Sequence, residues 1–341
     1  MALPKTHRAI QITQHGGPEV LQLNTVPVPE PSADHLIVKI DWAGVNFVDN
    51  YQRSGLYPNK TWPLGLGMEG SGTIVALPTN APDSAGYKER EFALGKRVVV
   101  YLPGAYSEYL SAPWQRVLPV PENIDTRTAA AALLQGLTVI SQLNESYVPK
   151  KGDTILIHAA AGGLGLIYSQ ILSSIGVRVI GTTSTKEKAE LAKAHGAAEV
   201  LLYAGPDKVD IEQKVLELTN GEGVHAVFDG VGKDTWELDF KVVRLLGTIV
   251  FVGNASGPVP PFPVLRLSEK NVKITRPTLN NSFVDPHAIL KYSNQLWSYI
   301  TSGTVKINVH GEYPFSAEGI AKAHVDISGR GTTGKLLVKL V

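Results

Sequence analysis

The chain has 341 residues, too many for one ordinary hydrophobic core, and 43% of them are hydrophobic, the share of a soluble globular protein. Its 32 basic and 31 acidic residues leave a net charge of +1, so no bulk field draws it to nucleic acid or membrane. It has no cysteine, which excludes disulfides, thiolate chemistry and cysteine-ligated zinc and fits a cytosolic compartment. No run approaches the ~20 apolar residues of a membrane span, and Met1 to His15 lacks a signal-peptide core. The Asn-x-Ser/Thr triplets at Asn59, Asn144 and Asn254 carry no meaning for glycosylation without a secretory route.

Ala9 to Thr13 and Leu21 to Asn24 flank the turn His15-Gly16-Gly17-Pro18 and predict a hairpin-like opening. Pro27, Pro29 and Pro31 keep the chain extended before Leu36 to Trp42, an alternating strand. Short apolar runs among many Gly and Pro residues continue to about Pro121 without a long helical pattern, which predicts a mainly β domain. Within it Pro78 to Glu91, polar and charged, reads as an exposed loop. Thr126 to Leu143, rich in alanine and leucine, reads as the helix that leads into the next domain.

Thr154 to His158 is a short apolar strand, and Leu164, Ile167, Ile171, Leu172 and Ile175 recur at helical spacing. Between them stands Ala160-x-Gly162-x-x-Gly165, the dinucleotide-binding spacing with alanine at its first position. Missing side chains let such a turn approach a pyrophosphate, whose charge the free N–H groups and positive end of the following helix stabilise. Val177 to Thr182 is a second strand, followed by a helix from Lys186 to His195 that Gly196 stops, so the stretch is a βαβ unit of a parallel sheet. Glu199 to Tyr203, Ala226 to Asp229 and Thr248 to Val252 read as further buried strands, separated by helices at Val209 to Thr219 and Thr235 to Leu246. Residues 132–277 therefore form one doubly wound nucleotide domain. Asn271 to Arg276 is a last strand candidate, and Pro286 to Gly303 reads as a helix. Gly334 to Val341 is a strand with no partner left in that domain, so it should return to the N-terminal β domain and make it discontinuous.

Gly44 to Pro58 (GVNFVDNYQRSGLYP), Leu134 to Val139, the HAAAGGLGLI turn, Phe228 to Glu237, Phe251 to Gly257 and the closing Arg330 to Leu337 together resemble the zeta-crystallin-type quinone oxidoreductases. These form the zinc-free NADPH branch of the medium-chain dehydrogenase/reductases, and the similarity runs in order along nearly the whole chain. The resemblance implies a Rossmann domain with a GroES-like, mainly β catalytic domain in two parts, here residues 1–131 and 278–341. It also implies NADPH-dependent quinone reduction by a cytoplasmic homodimer whose nucleotide sheets join edge to edge. Zinc-dependent relatives place a cysteine where Asn46 stands and a histidine where Met68 stands, and neither residue here is a sensible zinc ligand.

NAD enzymes carry an acid about 20 residues beyond the glycines to bind the ribose 2′-hydroxyl. The matching stretch Gly181 to Lys188 (GTTSTKEK) has hydroxyls and two lysines instead, which would welcome a 2′-phosphate. Ser184-x-x-Glu187 also fits a capping box, so Ser184 has a structural role open to it as well. The resemblance assigns Lys188 to the phosphate, with Tyr203 and Arg330 flanking it. It places Ala161, Gly162, Gly163, Leu164 and Gly165 along the pyrophosphate, Thr138, Val252, Gly253 and Asn254 around the nicotinamide, and Val231 by the adenine side. Gly230 departs from the serine that many relatives carry.

No Ser-His-Asp pattern supplies a base, and His158, on a buried strand end, reads as a satisfied core histidine. A quinone that takes hydride becomes a hydroquinone anion that water can protonate, so the protein's task is alignment and exclusion of water. Asn46, Tyr51, Arg53 and Tyr57 are the candidates for the acceptor pocket: asparagine can donate to a quinone oxygen or a ribose hydroxyl, and tyrosines stack on aromatic rings. An α,β-unsaturated carbonyl is the alternative acceptor. RNA binding, found in some zeta-crystallin-type proteins, is the alternative from another class, and the near-zero net charge argues against it.

Overall fold

The computed structural model describes residues 3–58, 61–80 and 82–341, so the triplet at Asn59 lies outside the described residues. The chain divides into two units: one runs to Leu137 and includes Phe283–Thr301 and Val309–Val341, and the other comprises Thr138–Ser282 and Ser302–Asn308. The divisions fall later than the expected 131 and 277, and the short return of 302–308 to the second unit was not expected. No helix among the described residues is long and apolar enough to cross a membrane.

The first unit opens with β1 (Thr6–Ile12) and β2 (Gln22–Pro27), an antiparallel pair that realises the expected hairpin. Its centre is β3 (His35–Val45), followed by helix α1 (Phe47–Ser54), β4 (Leu64–Gly65), β5 (Glu69–Ala76), the single turn α2 (Ala85–Lys88), β6 (Arg97–Tyr101), β7 (Tyr109–Pro113) and β8 (Val117–Pro119). Helix α3 (Thr126–Glu145) leads onward along the chain. Two departures from expectation matter. Helix α1 was not expected, because FVDNYQRS is polar on average and spans barely two turns. The segment Pro78 to Glu91 is no simple exposed loop: Ser84 Oγ caps α2, and Arg90 is buried over Trp114, donating to the carbonyls of Gly86, Val117 and Pro286.

The second unit alternates β9 (Thr154–Ile157), α4 (Gly163–Ser174), β10 (Arg178–Thr183), α5 (Lys186–Ala194), β11 (Glu199–Leu202), α6 (Ile211–Leu218), β12 (Val224–Asp229), α7 (Trp236–Val242), β13 (Val243–Phe251), β14 (Lys273–Thr275) and the short α8 (Leu279–Ser282). The strands form a six-stranded parallel sheet in the order β11-β10-β9-β12-β13-β14, the doubly wound arrangement whose ligands bind beyond the carboxyl ends of the strands. The expected helix to Leu246 stops at Val242, because Val243 is extended and pairs with Val224.

The chain closes with α9 (Pro286–Thr301), β15 (Val309–Pro314), α10 (Ala317–Ser328) and β16 (Lys335–Lys339). The last strand pairs antiparallel with β3, as its lack of a partner in the nucleotide sheet required. In the seven-stranded sheet β3 lies between β16 and β5, with Gly44 opposite both Leu337 and Glu69. This register brings the start of β5, the start of β16 and the residue after β3 to one end of the sheet. Ile40, Val45, Leu66, Ile74 and Leu336 pack the core beneath.

Candidate active site

The glycine turn of the second unit is shaped by three packing constraints. A Cβ at Gly165 would lie 2.6 Å from the Ala159 carbonyl oxygen and from Ala160, so only glycine lets α4 press against the turn. Ala159 itself has φ of 53°, a left-handed conformation that turns the chain out of β9. Ala160, where the usual pattern has glycine, is tolerated because the neighbouring strand carries Gly181, whose absent side chain leaves room for the methyl. The N-cap of α4 is Gly162, which offers no side chain to the first-turn N–H groups of Gly163, Leu164 and Gly165. N–H groups that no N-cap side chain engages, at a helix N-terminus on the carboxyl edge of a parallel sheet, fit a pyrophosphate.

The other residues expected to meet the cofactor in this unit lie at strand ends and on α3. Ser184 and Lys188 are half-buried after β10, and burial lowers the Lys188 pKa. The cap of α5 is Thr185, whose Oγ1 accepts from Lys188 N at 3.3 Å, so Ser184 is not the capping residue that its spacing suggested. Tyr203 follows β11 and is exposed, while its N–H donates to Thr183 O at 3.1 Å. Val231 is placed by Asp229, whose Oδ1 accepts from Val231 N at 2.6 Å and Gly232 N at 3.1 Å. Val252, Gly253 and Asn254 leave β13 half-buried, and Thr138 is half-buried on α3. At Gly230 an added Cβ would meet nothing within 4 Å, so packing does not demand glycine there. His158 is a satisfied core residue: Nδ1 lies 2.9 Å from Thr182 Oγ1 and Nε2 lies 2.8 Å from Asp239 Oδ1. Burial alone would lower its pKa, but the Asp239 carboxylate overrides this and the net shift is upward.

In the first unit, Asn46 leaves β3 into α1 and stands in a buried charged cluster. Lys335 Nζ donates to Asn46 Oδ1 at 2.7 Å and also to Glu69 Oε1. Asn46 Nδ2 donates to Glu69 Oε1 at 2.8 Å and Gly44 O at 3.3 Å, and Leu134 N donates to Glu69 Oε2 at 2.6 Å. Asp49 Oδ2 accepts from Asn46 N and from Tyr106 OH, both at 2.8 Å, and burial pushes its carboxyl up to about 7. The Asn46 donors are thus already engaged, so the expected donation to a quinone oxygen is not available from this arrangement. Tyr51 and Tyr57 pack edge to face at 5.3 Å, with Tyr57 exposed, as suits a rim. Arg53, in contrast, is buried and donates to Gly16 O at 2.6 Å and His324 Nδ1 at 3.2 Å. These contacts tie α1 to the turn at Gly16 and to α10. Arg330 is exposed after α10, with φ of 58°.

Residues 32–122 match the alcohol dehydrogenase GroES-like domain, and residues 163–292 match the zinc-binding dehydrogenase family. The chain is 38% identical over 334 residues to a quinone oxidoreductase of Pseudomonas aeruginosa, covering 97% of this chain and 99% of the relative. The structure of Escherichia coli quinone oxidoreductase complexed with NADPH superposes with a TM-score of 0.90 at 34% identity, covering 97% and 99% of the two chains. A 2-haloacrylate reductase of a Burkholderia species is 32% identical over 339 residues, covering 97% and 98%.

The chain belongs to the zinc-free quinone oxidoreductases.

The zinc of the wider dehydrogenase family does not fit this quinone oxidoreductase. At the position of a zinc-ligating cysteine stands Asn46, whose oxygen accepts from the Lys335 ammonium, and a second cation there would meet that positive charge. At the histidine position Met68 is buried, and its Sδ accepts from Gln52 Nε2 at 3.2 Å. Sequence reasoning missed Glu69, Lys335, Asp49 and Tyr106. A signal was available for the first two: charged residues at the starts of apolar strands, where burial forces them to find partners.

Proposed function

We propose that the protein reduces quinones by hydride transfer from NADPH without a metal. The observation that carries this reading is the phosphate-ready turn at Gly162 to Gly165, joined at the next strand end by Ser184 and Lys188 where NAD enzymes carry an acid. When bound, NADPH supplies the hydride and the chain's own residues supply position. The α4 N-terminus, with Ala161 preceding it, holds the pyrophosphate; Lys188, with Tyr203 and Arg330, holds the 2′-phosphate; Val231 lies by the adenine side. Thr138, Val252, Gly253 and Asn254 surround the nicotinamide, and Asn46 takes a ribose hydroxyl. Tyr51 and Tyr57 offer ring faces and edges on which a flat acceptor can stack. Water can protonate the reduced acceptor, so the reading requires no dedicated proton donor.

The reading includes a cytoplasmic homodimer. Exposed Leu245, Leu246, Val264 and Leu265 near the edge strand β14 support a second copy joining there. An α,β-unsaturated acceptor is the second reading, supported by the similarity to 2-haloacrylate reductase. Oxidation of NADPH by the purified protein, measured with an ortho-quinone, a para-quinone and an enone in the presence of a metal chelator, separates the two. Turnover highest with a quinone and insensitive to chelation is the expected result. Chelator-sensitive turnover, or none with any acceptor, refutes the proposal.

A further inference from the structure

Asn46 sits between a buried cation and a buried anion. Lys335 and Glu69 are each 1% exposed or less, and their side chains bond to one another and to opposite ends of the Asn46 amide. An ammonium has only donors and an ionised carboxylate only acceptors. Rotating the amide by half a turn would set its NH2 against the ammonium and its oxygen against the carboxylate, losing both bonds and adding two repulsions. The polarity of this amide, ordinarily the least certain feature of an asparagine, is therefore fixed by its neighbours. The clamp is itself built in by Gly44, where an added Cβ would lie 2.2 Å from Glu69 Oε1 and 2.7 Å from Lys335 Cε.

We propose that Lys335 and Glu69 are positioning residues that make Asn46 a hydrogen-bond acceptor toward its ligand and deny it the role of donor. Both amide hydrogens are directed at Glu69 and Gly44. What the side chain can offer a bound molecule is oxygen, which suits a hydroxyl of the nicotinamide ribose and does not suit a quinone carbonyl. This assignment rests on the reading of Asn46 as a cofactor contact and adds the direction of that contact and the residues that enforce it.

The test compares NADPH with an analogue whose nicotinamide ribose lacks its hydroxyls, measuring dissociation constants by nucleotide fluorescence without any acceptor. The wild-type protein should prefer NADPH about tenfold, the ratio expected of one hydrogen bond worth about 1.4 kcal/mol. Removing Lys335 alone would strand a buried Glu69 charge, so the decisive variant is the neutral pair Lys335→Met with Glu69→Gln, which should bind both nucleotides within about twofold of each other. Should that variant fail to fold, Asn46→Asp and Asn46→Leu decide. The aspartate, which keeps an acceptor, should retain the preference, and the leucine should lose it. Full preference in the neutral pair, or loss in both Asn46 variants, overturns the assignment. A wild-type protein that binds both nucleotides equally overturns this inference alone, whereas one that binds neither overturns the cofactor reading and the inference with it.

Discussion

The methyl group of Ala160 and the bare α-carbon of Gly181 share one space: a Cβ at Gly181 would lie 2.6 Å from the Ala160 Cβ. The alanine of the nucleotide turn and the glycine of β10 are therefore one feature in two places. Gly181→Ala should lower stability by about 1–3 kcal/mol, the cost of overpacking a filled core. Adding Ala160→Gly should recover most of that loss, because it removes the opposing methyl. Urea unfolding of the two single variants and the double gives the coupling, and simple additivity would disprove the shared-space account.

Gly44 is constrained from the other side, by charge. A methyl there would drive Glu69 and Lys335 out of their buried contact. Gly44→Ala should cost about 3 kcal/mol or more, the scale of breaking a buried ion pair. The midpoint of chemical unfolding reports this directly.

Lys188→Ala should raise the Michaelis constant for NADPH about tenfold to a hundredfold, as expected for one lost charge-assisted hydrogen bond, and leave that for NADH nearly unchanged. Equal effects on both nucleotides would show that the lysine does not read the 2′-phosphate.

Tyr57 is exposed against the edge of Tyr51. Tyr57→Ala should reduce kcat/KM for a para-quinone about twofold to tenfold, the range of one aromatic contact, with a smaller loss for Tyr57→Phe. Unchanged turnover in both variants removes this side chain from the acceptor site.

His324 gives a pH prediction with a definite sign. Burial, with Arg53 beside it, drives its pKa down to about 3. An unfolded histidine titrates near 6.5, so between about pH 6.5 and 3 the unfolded state takes up the proton and stability is lost as pH falls. Asp49 works oppositely: its carboxyl is raised to about 7, so its contribution is present at low pH and fades as pH rises from about 4 to 7. The histidine is isolated by comparing the wild type with His324→Gln, which keeps an acceptor available to Arg53. Unfolding free energy measured from pH 7 to pH 4 should fall more steeply in the wild type, and a pH-independent gap between the two proteins would count against a neutral buried histidine.

Much of the nucleotide half was legible because each strand and helix of a βαβ unit writes its own periodicity, and the glycine turn between β9 and α4 is a local event. The return of β16 to β3 was legible by exclusion, since an apolar closing strand needs a partner. Helix α1 was missed although Asn46 and Asp49 stand at cap spacing and Gly55 closes it in a left-handed conformation, with φ of 86°. Its two polar turns carry too weak a hydrophobic pattern to compete with the surrounding β signals. The cap of α5 fell on Thr185 instead of Ser184 because adjacent hydroxyl residues differ only in backbone geometry, which spacing does not encode.

By itself the sequence determined the parallel nucleotide sheet, the turn that suits a pyrophosphate and the unsuitability of Asn46 and Met68 as zinc ligands, because these depend on residue type and short spacing. The tertiary structure decided which way the Asn46 amide faces and that Arg53 is buried against Gly16 and His324. Asn46 and Lys335 are 289 residues apart in the chain, and only the antiparallel register of β16 against β3 puts an ammonium beside that amide. A buried charge is held by whatever partner the fold brings to it, and no local pattern can name that partner in advance.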